Sequence, residues 1–242
     1  MGIYRGAHIV RDGLILSLDP SSQRSYPGSG TLLKDLTGND DFTIYNGTEY
    51  LTEKSGILKF DGIDDYARIS SSDGVVSSGS DGLTVSMWIN AQSWTYGSCP
   101  CTGAMSIMDW STGYWNYFGI LSSGSPYWVI YNQDPNGAGN PPAGVSLGFS
   151  TSSLNTWLNF GCTFSNDNPG TMKSYLNGVE VASAQLQSTF TVTAAIDIAR
   201  HNRHCGYCYG NFKIGNFSIY NRPLDSSEML QNFTAHKSKF GL

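Results

Sequence analysis

Apolar residues recur at every second position in several short stretches of the chain, the period of a strand with one buried face. In Gly13 to Asp19 the residues Leu14, Leu16 and Leu18 share a face. From Leu83 to Asn90, Leu83, Val85, Met87 and Ile89 alternate with Thr84, Ser86, Trp88 and Asn90, which predicts a central strand. From Trp157 to Phe164, Leu158, Phe160, Cys162 and Phe164 fall together. Shorter strands are predicted at Asp41 to Tyr45, Ala195 to Ala199 and Phe212 to Tyr220, and two or three within Met105 to Tyr131. Turn chemistry separates them: a Ser-, Pro- and Gly-rich loop from Pro20 to Gly30, Leu36 to Asp40, Asn46-Gly47, and a long loop from Gln133 to Gly144. Asn177-Gly178 closes a hairpin within Met172 to Val181. After Pro223, Asp225-Ser226-Ser227-Glu228 is a capping box opening a short helix with Leu230 and Phe233 on one face. Roughly a dozen strands and one terminal helix predict an all-β antiparallel sandwich. With no internal repeat or linker, residues 1–242 are expected to form one domain.

The stretch Phe60-Asp61-Gly62-Ile63-Asp64-Asp65-Tyr66 joins two apolar runs, Ile57 to Phe60 and Tyr66 to Ile69. Gly62 tolerates positive φ, and the aspartates can accept hydrogen bonds from nearby backbone, so a hairpin is expected here. Asp61, Asp64 and Asp65 also form an acidic cluster of the kind calcium takes, which leaves a cation turn as the alternative.

Composition narrows the function classes. The chain has 242 residues, 40% hydrophobic and 13% aromatic, ample for a core. Charged residues are only 14% and the net charge is -5, so the basic field that nucleic acid requires is missing. No apolar run reaches the roughly 20 residues of a membrane span. Residues Met1 to His8 carry no apolar signal-peptide core, so folding in a cytoplasm is expected, with export by a route that the sequence does not show as the alternative. The sequons at Asn46, Asn216 and Asn232 are then chance matches.

Candidate chemistry lies in cysteines and aromatics. Of five cysteines, Cys162 sits on the apolar side of a strand. The others form two close pairs in predicted loops, Cys99-Pro100-Cys101 and Cys205-Gly206-Tyr207-Cys208, with His201 and His204 beside the second. Four thiolates on two loops could hold one tetrahedral zinc; disulfides or free thiols are the alternatives. Trp94, Tyr96, Trp110, Tyr114, Trp115 and Tyr127 could present flat faces to sugar rings, with Asp109 and Asn116 as hydrogen-bonding groups. The same rings could instead fill the core or a subunit interface. No phosphate-binding Gly-rich loop occurs, and the histidines form no acid/base arrangement with a nucleophile, so no enzymatic activity is expected.

Four segments in order resemble the laminin-G-like jelly-roll branch of the concanavalin A-like lectin/glucanase superfamily: Leu58 to Tyr66, Leu83 to Ile89, Lys173 to Val179 and Phe217 to Leu224. The resemblance implies a jelly-roll sandwich. The Glu-x-Asp-x-x-Glu strand of that superfamily's glucanase branch is missing here. Gly13 to Asp19 with Ser25 to Thr31, and Glu228 to Phe233 running into Lys239-Phe240-Gly241-Leu242, are similar to lectin-like structural proteins of tailed marine bacteriophages. That similarity implies a virion component assembled in a bacterial cytoplasm, an oligomer docked on other virion structural proteins. The alternative function is a glycan-binding adhesin recognising a host surface polysaccharide.

Overall fold

A computed structural model describes residues 8–69, 81–93, 104–109, 117–121, 126–129, 145–146, 154–167, 170–185, 196–203 and 206–242. In chain order the strands are β1 (Leu14–Leu18), β2 (Leu32–Leu33), β3 (Phe42–Tyr45), β4 (Glu49–Leu51), β5 (Ile57–Asp61) and β6 (Tyr66–Ile69). They continue with β7 (Gly82–Ala91), β8 (Ala104–Asp109), β9 (Tyr117–Leu121), β10 (Pro126–Val129), β11 (Val145–Ser146) and β12 (Trp157–Ser165). The last are β13 (Thr171–Leu176), β14 (Val179–Gln185), β15 (Asp197–Ile198), β16 (Arg200–Arg203), β17 (Gly206–Tyr209) and β18 (Asn211–Tyr220), followed by helix α1 (Ser226–Phe240).

The first sheet runs β14-β13-β12-β7-β18-β5-β4, with β1 on the same edge of β18 as β5. The second runs β11-β10-β9-β8-β15-β6-β3-β2. Every pairing is antiparallel, and β16 and β17 form a separate hairpin. The core lies between the sheets. Leu83, Val85, Met87 and Ile89 of β7 meet Phe160, Cys162 and Phe164 of β12 and Phe42, Ile44, Ala67 and Ile69 of the second sheet. The alternation in the sequence is thus the inward face of each sheet, and among the described residues the jelly-roll sandwich is all-β apart from α1 and a single 3-10 turn at Glu53–Ser55. Among the described residues no helix is long and apolar enough to cross a membrane.

All ten residues of β7 are buried, so its outer face is covered too. The cover is α1. Trp88 stacks on Phe240 at 4.3 Å and on Phe233 at 5.5 Å, with Ile57 and Trp157 beside them. The close approach depends on glycines in the strands beneath. A Cβ on Gly161 would lie 2.2 Å from Met229 Cε, and one on Gly215 would lie 2.4 Å from Phe240 Cζ. The capping box forms as expected: Asp225 accepts from the Ser227 and Glu228 N–H groups, and Glu228 accepts from the Asp225 N–H. The helix is longer than a short terminal turn, at 15 residues, and its buried anchors are Met229, Asn232 and Phe240. Leu230, which shares a helix face with Phe233, is 48% exposed.

One expected connection is corrected. Asp61 to Asp65 is not a hairpin, because β5 belongs to the first sheet and β6 to the second. Asn46-Gly47 forms the expected tight turn, with φ +64 and +115, and it too carries the chain from β3 in the second sheet to β4 in the first. The two corners lie side by side, and Asn46 Nδ2 donates to the Asp64 carbonyl at 2.8 Å. Cys208 lies not in a loop but on β17, opposite His201 on β16.

Candidate functional site

The Asp61–Asp65 corner is built from its own carboxylates. Asp61 Oδ1 accepts from the N–H of Ile63 at 2.8 Å and of Asp64 at 3.4 Å. Asp65 Oδ2 accepts from the Asp61 N–H at 3.1 Å. Gly62 has φ +79, and a Cβ there would lie 2.8 Å from Asn211 Cβ, so the turn needs glycine for both conformation and space. One ligand oxygen from each of Asp61, Asp64 and Asp65 falls within a 4.8 Å cluster. Asp61 and Asp64 are exposed, while Asp65 is 4% exposed. Burial, then the neighbouring Asp61 charge, push the Asp65 carboxyl up to about 6, with the Asp61 N–H pulling the other way.

Beside this corner, the outer face of the second sheet carries a stacked column. Phe42 and Ile44 of β3, and Ala67 and Ile69 of β6, point inward, so Tyr45 and Tyr66 point outward. These two tyrosines are direct cross-strand partners, with rings 4.4 Å apart and 8° from parallel. The Arg200 guanidinium lies 3.6 Å from the Tyr66 ring centroid and 4.8 Å from that of Tyr207. The order is therefore Tyr45, Tyr66, Arg200, Tyr207, with Tyr209 touching both Tyr66 and Tyr207.

Asp197 fixes the cation in this column. Its Oδ2 accepts from Arg200 Nε at 2.9 Å and Nη2 at 2.7 Å, and Arg68 Nε lies 3.3 Å from its Oδ1. Burial would weaken the guanidinium's hold on its proton. The Asp197 charge and hydrogen bonds outweigh that and hold Arg200 above the ordinary arginine value. The column ends in two accessible rings, Tyr45 at 37% and Tyr207 at 46% exposure. Exposed aromatic faces beside carboxylate acceptors can stack on the C–H face of a sugar ring and accept hydrogen bonds from its hydroxyls.

The sequence reading did not find this column. Its residues come from three distant segments, and β16–β17 hides behind two cysteines and a glycine. One signal was there: in Tyr207-Cys208-Tyr209 the alternation puts both tyrosines on one face and Cys208 on the other. Of the residues expected to bind sugar, Trp94, Tyr96, Trp110, Tyr114 and Trp115 lie outside the described residues, as does the side chain of Tyr127, whose backbone is in β10. Cys99, Cys101 and Cys205 also lie outside them. Cys208 is buried and disulfide-bonded. Cys162 is free and fully buried in the core, and burial raises its thiol well above the ordinary range.

The fold is similar to that of several solved binding domains. It matches the binding domain of botulinum neurotoxin DC in complex with SialylT at a TM-score of 0.69 and 16% identity, over 93% of this chain and 52% of that one. The same neurotoxin binding domain in complex with rat synaptotagmin II gives 0.68 and 17%, over 92% and 52%. The binding domain of Paraclostridial Mosquitocidal Protein 1 gives 0.65 and 16%, over 91% and 52%. The chain thus spans about half the length of each, and at these identities the likeness is one of fold. No curated protein sequence matches the chain. The family model described as "Concanavalin A-like lectin/glucanases superfamily", a laminin G model, matches residues 61–229, from the acidic corner into α1. That match covers the corner, the central strands of both sheets and the column's β16–β17 hairpin, and the chain belongs to this superfamily.

Proposed function

We propose that the chain is a non-catalytic module that binds a glycan through the outer face of its second sheet. The observation that carries this reading is the Tyr45–Tyr66–Arg200–Tyr207 column, seated on Asp197 and ending in exposed rings, with the acidic corner leading directly into Tyr66. Its fold neighbours are binding domains, one of them in complex with SialylT. A glycan array tests the reading. Hits from bacterial surface polysaccharides that weaken about tenfold or more in Tyr45→Ala and Tyr207→Ala support it, since stacking on one ring is worth roughly 1–2 kcal/mol. A silent array, or hits indifferent to both variants, overturns it. Release of reducing sugar from any hit would overturn the non-catalytic part.

The aromatic stretch containing Trp94 and Trp110 is a second candidate surface for the same ligand class, tested by Trp94→Ala and Trp110→Ala. The similarity of both end segments to tailed-phage structural proteins supports a setting for this binding: an oligomer mounted on a virion through other structural proteins. Stoichiometric copies in purified particles are the expected result. The disulfide at Cys208 supports the disulfide alternative over a four-thiolate zinc at Cys99, Cys101, Cys205 and Cys208, and metal analysis finding no zinc with a titration finding no free loop thiol are the expected results.

A further inference from the structure

Next to the column, the loop before β2 frames an open cleft of about 790 Å³. Its wall is stiff. The Ser25 carbonyl accepts from the Lys34 N–H at 2.7 Å, and Ser25 Oγ donates to the Lys34 carbonyl at 2.6 Å. Tyr26 is buried and its hydroxyl donates to the Gly30 carbonyl at 2.8 Å. The Asp35 carboxylate is turned inward, accepting from the N–H groups of Ser17, Thr37, Asn39 and Asp40 and from the Thr37 hydroxyl. These bonds hold Arg24 and Lys34 on adjacent segments lining one cleft.

Both cations are exposed, and neither has an ion-pair partner among the described residues. That is notable in a chain with more carboxylates than cations, where Lys59, Lys173 and Lys213 each hold a glutamate. The cleft is also continuous with the column. Leu32 lines it and pairs with Thr43, two residues from Tyr45 on the same outward face. The Thr31 carbonyl accepts from the Ile44 N–H, so the cleft wall stands one strand spacing, about 4.8 Å, from the strand bearing Tyr45.

We infer that Arg24 and Lys34 form an anion subsite for the acidic substituent, carboxylate or sulfate, of a glycan whose neighbouring ring stacks on Tyr45. This inference rests on the glycan reading above and adds the ligand's charge class. Guanidinium and ammonium donors match the two oxygens of a carboxylate or the face of a sulfate. The acidic corner lies beside Tyr66 and Tyr209, on the far side of Tyr45 from the cleft, so one ligand can donate hydroxyls at one end and place its anion at the other.

The test uses the full chain and an array holding neutral, uronate-containing and sulfated oligosaccharides, with carboxyl-reduced and desulfated forms of each acidic one. Acidic hits are expected to bind about tenfold or more tighter than their neutralised counterparts. The double variant Arg24→Gln/Lys34→Gln, at exposed positions, should lose that difference. Raising chloride from about 50 to about 300 mM should weaken wild-type binding and leave the double variant nearly unchanged. Preference for carboxylate over sulfate, or the reverse, identifies the source of the charge, and either supports the subsite. Equal binding of acidic and neutralised forms, with Tyr45→Ala still impairing both, overturns the anion subsite and leaves the column reading intact. Acidic binding that survives the double variant also overturns it, and an array silent to every glycan overturns both.

Discussion

Gly215 shows what a single missing methyl does in this protein. It sits on β18 under Phe240, and a side chain there would enter the ring's space by about an atom's radius. A ring cannot retreat as the end of a methionine can, so Gly215→Ala is expected to cost about 1–3 kcal/mol in denaturant unfolding, and Gly161→Ala under the Met229 methyl less. Combining Gly215→Ala with Phe240→Ala should recover most of that cost, the sign of a direct clash. Asp65 acts through charge. Its folded value of about 6 lies above the ordinary aspartate value of 3.8, so its protonated form favours folding. That contribution is complete below about pH 4 and is lost as pH rises through about 6. Solvent on the open side of the turn limits the change to on the order of 1–2 kcal/mol. Asp65→Asn keeps an acceptor for the Asp61 N–H, so its stability should be flat over this range and exceed wild type at pH 7. If calcium occupies the three carboxylates, added calcium raises the wild-type Tm at pH 7 and leaves the variant's unchanged.

At the scale of elements, legibility followed how local the causes are. The capping box was readable because Asp225 and Glu228 act on each other across one turn. Replacing Asp225 with Ala should lower stability by about 1 kcal/mol. The strands β1, β7 and β12 were readable from period two. The corners were not: Gly62 and its aspartates make the same turn whether the next strand returns to its own sheet or crosses to the other. The choice is made by distant partners, β18 for β5 and β3 for β6. Which residues of α1 are buried was not legible for a similar reason. Leu230 is apolar, but the strand glycines that admit a helix sit under Met229 and Phe240. The β16–β17 hairpin depends on Arg200 in turn. Arg200→Ala removes the bidentate partner of the buried Asp197 charge, so a loss of about 3–5 kcal/mol is expected. The loss should shrink when Asp197→Ala is added, as a double-mutant cycle would show.

At the scale of the whole molecule, the sandwich is layered: helix, first sheet, core, second sheet. Trp88 and Trp157 are buried only because α1 lies over them. A chain ending before Ser226 would expose this aromatic face, and it is expected to aggregate or bind a hydrophobic dye where the full chain does not. The layering also gives the molecule two unlike sides. The described amino-terminal residues attach at the helix side: the Val10 N–H donates to Asn232 Oδ1, and the His8 carbonyl accepts from Gln231. Leu242 closes α1 on that side as well. The tyrosine column looks out from the opposite broad face. Grafted onto a sensor chip or a bead by a tag after Leu242, the protein would orient itself, its helix toward the support and its stacked rings toward the analyte.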